Sequence, residues 1–201
     1  MSKQLSSFVA TVGALLLMVQ APAIAEPASL STPSAKYIQS LGDRALSAIS
    51  DKKLSKEKKQ ETLETLFKSN LDFDWVAKFV MGRSWREATD DQRARYVAVY
   101  KNFLTKNYTS RFSEYTSGSF KITGAKELEK GESLVSMAIA GNEKGAQPVL
   151  IDYKIRKVGG GFKVYDIIVE GVSMITSQRS EFAAVINKSG IDGLIAQLGS
   201  K

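Results

Sequence analysis

The chain has 201 residues and a net charge of +7, from 28 Lys plus Arg against 21 Asp plus Glu, and it contains neither cysteine nor histidine. Without cysteine there is no disulfide framework, thiolate nucleophile or thiolate metal site. Without histidine a Ser-His-Asp hydrolase is excluded, zinc catalysis of the usual kinds is nearly so, and no metal site is expected.

The first residues have the three parts of a secretory signal. Lys3 is the positive n-region, Phe8 to Val19 is an uncharged apolar run, and Ala23-Ile24-Ala25 offers an A-x-A cleavage site. The run is shorter than the about 20 apolar residues that a spanning helix needs. A lipidated signal would need a cysteine, so the expectation is a soluble exported product. Residues 1–25 read as signal, 26–36 as a Pro/Ser-rich flexible spacer and 37–201 as a single domain. Export makes nucleic acid a poor partner for the positive charge, and the scattered basic residues read as solvated surface.

Within the domain, Ile38, Leu41, Ala45 and Ile49 recur at helical spacing. A charged stretch, Lys52 to Lys59, leads into a second helix with Leu63, Leu66 and Phe67. Asp72-Phe73-Asp74-Trp75 opens a short third helix that Gly82 closes. Thr89 to Gln92 has the form of a capping box. Behind it, Tyr96, Val99, Tyr100, Phe103, Leu104, Tyr108, Phe112 and Tyr115 predict a long helix with one aromatic face, ending at Gly118.

After Gly118 the period changes to two. Strands are predicted at Phe120–Thr123, Leu134–Ala140, Val149–Arg156 and Phe162–Ile168, with Gly159-Gly160-Gly161 as a hairpin turn. Two helices follow, divided at Gly190. Helices, an antiparallel meander and helices again make an α+β domain. The expected arrangement lays the aromatic face of the long helix on the sheet. It resembles the NTF2-like or cystatin-like class, a twisted antiparallel sheet of about four strands wrapped with helices around an apolar cavity.

Acidic pairs at Asp72/Asp74 and Asp90/Asp91 flank helix starts, where carboxylates favour the helix dipole. The sequon Asn107-Tyr108-Thr109 lies inside the long helix and is discounted. Tyr165-Asp166 with Glu170 leaves two readings open. Asp166 shares strand parity with Val164 and Ile168, so it is either an inward catalytic carboxylate beside a tyrosine or a buried Asp paired with Arg179.

Tyr165-Asp166, Glu170-Gly171-Val172-Ser173-Met174-Ile175, Met81-Gly82-Arg83-Ser84-Trp85, Ala88-Thr89, Gln92-Arg93 and Gly190 to Ile195 together closely resemble the MlaC family, also known as the toluene-tolerance family. The similarity runs from about Tyr37 to Leu198, with Met81 where leucine is usual. The resemblance implies a non-enzymatic phospholipid carrier of the periplasm, monomeric, with lipid as cargo and no cofactor. It implies shuttling between an outer-membrane lipoprotein–porin complex and the MCE-domain subunit of an inner-membrane ABC transporter, maintaining outer-membrane lipid asymmetry. Acyl chains would fill a deep cavity while the headgroup stays near solvent.

Expected lipid-facing residues are Tyr100, Phe103, Leu104 and Tyr108 on the long helix, with Phe73, Val76 and Val80 on the short one. The sheet adds Val135, Met137, Ile139, Ile151, Tyr153, Val164 and Ile168, although Leu134 and Ala138 compete for the inward parity of the second strand. The family motif adds Val172 and Met174 near the mouth. Two alternatives stand beside the carrier: an NTF2-like isomerase or lyase using Asp166 and a cavity tyrosine, and a protein-binding adaptor whose apolar stripe is consumed as core.

Overall fold

The structure is a computed structural model that describes residues 30–114, 119–140 and 146–200, and of 108–114 the backbone alone. The signal segment, the side chains of Tyr108, Phe112 and Tyr115, and the helix end at Gly118 lie outside the described residues. The elements are α1 (Pro33–Ser50), α2 (Lys56–Asn70), α3 (Phe73–Met81), α4 (Ser84–Glu87), α5 (Asp90–Glu114), β1 (Phe120–Glu127), β2 (Glu132–Ile139), β3 (Val149–Val158), β4 (Gly161–Val169), β5 (Val172–Ser173) and α6 (Met174–Gly199). The α+β architecture matches expectation, with a fifth, two-residue strand added.

Local chemistry sets most boundaries. Thr32 accepts a hydrogen bond from Ala35 N–H and Pro33 occupies the first helical turn, so α1 begins inside the stretch read as spacer. At α5 the capping box forms in both directions. Gln92 N–H donates to Thr89 Oγ1 at 3.2 Å, and Thr89 N–H donates to Gln92 Oε1 at 3.0 Å. Gly159 and Gly160 have φ of 58° and 82°, the pair of positive values that a two-residue hairpin turn requires. Gly190, at φ 71°, kinks α6 where two helices were expected.

The sheet is antiparallel throughout, in the order β1-β2-β3-β4-β5. Val135 and Met137 are buried on β2, which decides its parity against Leu134 and Ala138. The register shifts within β4, because Ile155 pairs with Val164 whereas its neighbour Lys154 pairs with Asp166. Tyr165 is therefore an extra, bulged residue. Adjacent residues of β3 point to opposite faces, so Val164 and Asp166 do too. The shared parity expected of Val164, Asp166 and Ile168 is broken at that point.

Two apolar cores result. One lies between α1 and the sheet, with Ala35, Ile38, Ile122, Val135, Met137, Ile155 and Val164. The other joins α3, α5 and α6, with Val76, Val80, Tyr96, Tyr100, Leu104 and Phe182, and reaches Tyr165 of β4. Leu71 packs against both. The described part of the aromatic face of α5, Tyr96 to Leu104, thus meets helices, and α1 is the helix laid on the sheet. The reason is aromatic complementarity. Tyr100 stacks on Tyr96 at 5.3 Å and meets Phe182 of α6 edge-on at 5.6 Å.

Asp72 fastens the helical part to the sheet. Its side chain caps α3 by accepting from Trp75 N–H at 3.3 Å, and its Oδ2 takes Arg156 Nη2 at 2.6 Å. Its backbone N–H donates to the Val164 carbonyl at 2.8 Å. Arg156 also lies over the Trp75 ring at 5.0 Å. Replacing Asp72 with Ala should lower stability by about 2–4 kcal/mol, measured by urea denaturation, because a cap and the partner of a half-buried Arg disappear together. Asp72→Asn retains the capping oxygen and should lose less.

Burial pushes the hydroxyl of Tyr153 up to about 12, and that of Tyr37 to about 12 against the opposing charge of Arg44. Between about pH 10 and 12 the unfolded chain loses protons that the folded one keeps, so stability should fall as pH rises through that window. Urea midpoints measured from about pH 9 upward should show the decline, and Tyr153→Phe should reduce its slope.

Candidate functional site: an apolar seam beside β4

The two cores meet along the edge of β4. There the chain leaving α2 forms a bridge from Leu71 to Val164, and β5 pairs with Ile168 and Val169. Between these contacts lies a cavity of about 20 Å³, lined by Phe67, Leu71, Val76, Tyr100, Leu104, Tyr165, Ile167, Met174 and Ile175, with Asp166 and Gln178 as its polar members. Four elements of the helical part and one strand converge on it. A volume of that size holds about one water molecule, so the apolar walls are close together.

Each polar group on this wall has a partner. Tyr100 donates its hydroxyl hydrogen to Gln178 Oε1 at 2.5 Å. The Tyr165 hydroxyl donates to Glu132 Oε2 at 2.8 Å, and burial together with that carboxylate pushes it well above the usual tyrosine range. Asp166 is 2% exposed; its Oδ2 accepts from Ser173 Oγ at 2.8 Å and its Oδ1 from Ile175 N–H at 3.4 Å. Lys154 Nζ stands 4.0 Å away. Asp166 thus ties β4 to the first turn of α6. Arg179, the partner expected for it, instead lies over the Phe79 ring at 4.9 Å.

Among the residues expected to face lipid, Val76, Tyr100, Leu104 and Met174 line the cavity. Phe73 and Val80 are buried in the same helical core, and Phe103 packs against it. Val135, Met137 and Val164 belong to the core under α1, with Ile139 and Tyr153 against it. Ile151 is buried on that same sheet face, paired with Met137. Ile168 pairs with Asp152 on the other face, a consequence of the bulge. Val172 is 52% exposed at the sheet edge, two residues before Met174.

Sequence reasoning missed Phe67, Leu71, Tyr165, Ile167, Ile175 and Gln178 as cavity walls. Phe67 was visible as part of the apolar set of α2. Ile167 was hidden, because only the bulge brings it to the side of Tyr153, its partner on β3.

The same outline recurs in known proteins. The family model described as MlaC protein matches residues 39–200, most of the chain. The chain belongs to the MlaC family. It is 23% identical over 167 residues to a Haemophilus influenzae member named intermembrane phospholipid transport system binding protein MlaC, covering 80% of this chain and 78% of that one. A Pseudomonas putida relative named toluene tolerance protein ttg2D is 28% identical over 123 residues, 61% of this chain and 56% of its own. The fold is shared with a solved structure of a phospholipid-binding protein from Ralstonia solanacearum in complex with a phospholipid. That similarity has a TM-score of 0.71 at 24% identity and covers 82% of this chain and 94% of that one.

The hydrogen bonds of Asp166 predict a structural effect. Asp166→Ala should destabilise the protein by about 2–3 kcal/mol, since Ser173 Oγ and Ile175 N–H lose their acceptor in a buried place. Thermal and chemical denaturation measure this. A carboxylate held in reserve for catalysis would show the opposite, unchanged or increased stability.

Proposed function

We propose that this chain is a periplasmic phospholipid carrier. It takes lipid from, or delivers it to, the MCE-domain subunit of an inner-membrane ABC transporter. An outer-membrane lipoprotein–porin complex stands at the other end, so that the chain helps maintain outer-membrane lipid asymmetry. The observation that carries the reading is the apolar seam at β4, in a chain of the MlaC family whose relatives are named for phospholipid transport and binding. Among the described residues no helix is long and apolar enough to cross a membrane. The secretory pattern of residues 1–25 supports export.

The chemistry favours binding over catalysis. Asp166, the carboxylate on which an isomerase would depend, spends both oxygens on Ser173 and on the backbone of α6. Affinity for an acyl chain needs no reactive group, because each buried methylene contributes about 0.8 kcal/mol. The phosphate avoids a large desolvation cost by staying at the surface.

A cavity of about 20 Å³ does not hold an acyl chain, so cargo enters by parting the seam. The same small volume favours the second reading, a periplasmic adaptor whose apolar surface is all core. Native mass spectrometry of gently purified protein separates the two. A mass excess of one or more phospholipids is expected, and a lipid-free mass sinks the carrier. Met174→Trp, which fills the seam from α6, should lower lipid occupancy about tenfold or more while shifting the melting temperature by only a few degrees.

A further inference from the structure

The corner between α1 and α2 gathers lysines at the start of a helix, where cations are unfavourable. Residues 52–59 hold five lysines, Lys52, Lys53, Lys56, Lys58 and Lys59, and one acid, Glu57. Three of those lysines occupy the first turn of α2, the end of a helix at which cations are unfavourable. The helices α1 and α6 carry neither an acid in the first turn nor a base in the last, and α3 and α5 open on acids. Asp72 and Asp74 stand at the start of α3, Asp90 and Asp91 at the start of α5, and Lys163 donates to the Ser69 carbonyl at the C-terminal end of α2.

Local structure accounts for two of the five. Lys59 Nζ donates to the Ile49 carbonyl at 2.7 Å, closing the corner, and Lys58 pairs with Glu61. Asp51 accepts from the Lys53 backbone N–H at 2.8 Å, which shapes the turn without touching the lysine side chains. Lys52, Lys53 and Lys56 are exposed and project from the corner. A local rule broken without a folding gain marks a functional surface.

We propose that this corner is a docking surface for an anionic lipid headgroup layer. Charge complementarity selects the occupant. The cations are all lysines, hydrated point charges rather than the planar forks that arginine offers to a shaped carboxylate partner. The only apolar residue among them is Leu54, so the corner lacks the buried anchors that protein interfaces depend on. A cluster of lysines on a projecting turn fits a diffuse negative layer. Phe67, on the cavity wall, lies about 16 Å further along α2 at 1.5 Å per residue. The corner therefore holds the protein at a bilayer without occupying the seam. Its biological setting rests on the carrier reading, but its chemistry does not.

The test is flotation of the full exported chain with vesicles of phosphatidylglycerol and phosphatidylethanolamine, and with vesicles of phosphatidylcholine alone. Association with the anionic vesicles is expected at about 20 mM salt and should be largely lost at about 0.3 M, because screening shortens the reach of the charges. Lys52→Ser/Lys53→Ser/Lys56→Ser should weaken it roughly 50-fold or more, at about fivefold per lysine. An equal loss of charge on the sheet, Lys121→Ser/Lys126→Ser/Lys157→Ser, should weaken it less than about fivefold.

Wild-type protein that ignores anionic vesicles overturns the proposal, as does a corner variant that binds like wild type or a sheet variant that loses as much. Cargo is read on the same preparations by native mass spectrometry. Lipid-free protein that still docks through the corner overturns the carrier reading and leaves this one standing.

Discussion

The alternation of β4 is interrupted at Tyr165, and that single inserted residue decides which side chains of the strand each core receives. Upstream of the bulge Val164 faces the core beneath α1; downstream, Asp166 and Ile168 face the other way. The extra residue turns its ring toward the helices, where it meets Trp75 edge-on at 5.0 Å. Without that insertion Asp166 would fall on the α1 side, among apolar residues and away from Ser173 and Ile175. The bulge therefore places both the aromatic contact with α3 and the carboxylate that anchors α6.

The bulge sets the place where the two cores meet. Leu71 packs against both, Tyr165 of β4 belongs to the helical core, and Ile167 of the sheet core also lines the seam. Asp72 with Arg156 and Asp166 with Ser173 hold the edges of the seam, and apolar walls face each other between them. Hydrogen bonds at the rim are directional and re-form in one register, whereas apolar contact is non-directional and separates without leaving a polar group unsatisfied. An opening along this line would part the helices from Tyr165 of β4 and leave the core beneath α1 intact.

Much of this was legible in the sequence, for identifiable reasons. The capping box at Thr89, the change of period after Gly118 and the glycine hairpin are short-range signals, and they located α5, the sheet and the β3–β4 turn. The start of α1 was equally local, a Thr-Pro pair at Thr32–Pro33, but it was absorbed into a stretch classed by composition. Long-range choices were harder. The aromatic stripe of α5 is consistent with a sheet or a helix as partner, and Phe182, the residue that decides, lies some 80 positions away. The orientation of Asp166 and Ile168 depended on one inserted residue, which alternation counting treats as regular strand. Strand parity in the candidate site was thus reliable on β2 and β3 and failed beyond residue 165.

The closed state of the seam arises from the same energetics that favour a carrier. An empty apolar cavity costs about 24 cal/mol per Å³, so one of several hundred cubic ångströms would cost on the order of 10 kcal/mol. That is comparable to the whole stability of a domain this size. A site that is filled and emptied avoids that cost if its walls meet when cargo leaves, which asks for side chains large, flexible or aromatic enough to satisfy one another. Phe67, Met174, Tyr100 and Tyr165 around a residual 20 Å³ meet that requirement. The two tyrosine hydroxyls rest on Gln178 and Glu132 instead of projecting into the space. A rigid preformed pocket would be the better design for an enzyme, which must hold reacting groups in place while substrate is absent. A seam that closes on itself suits a protein whose task is to release what it has bound.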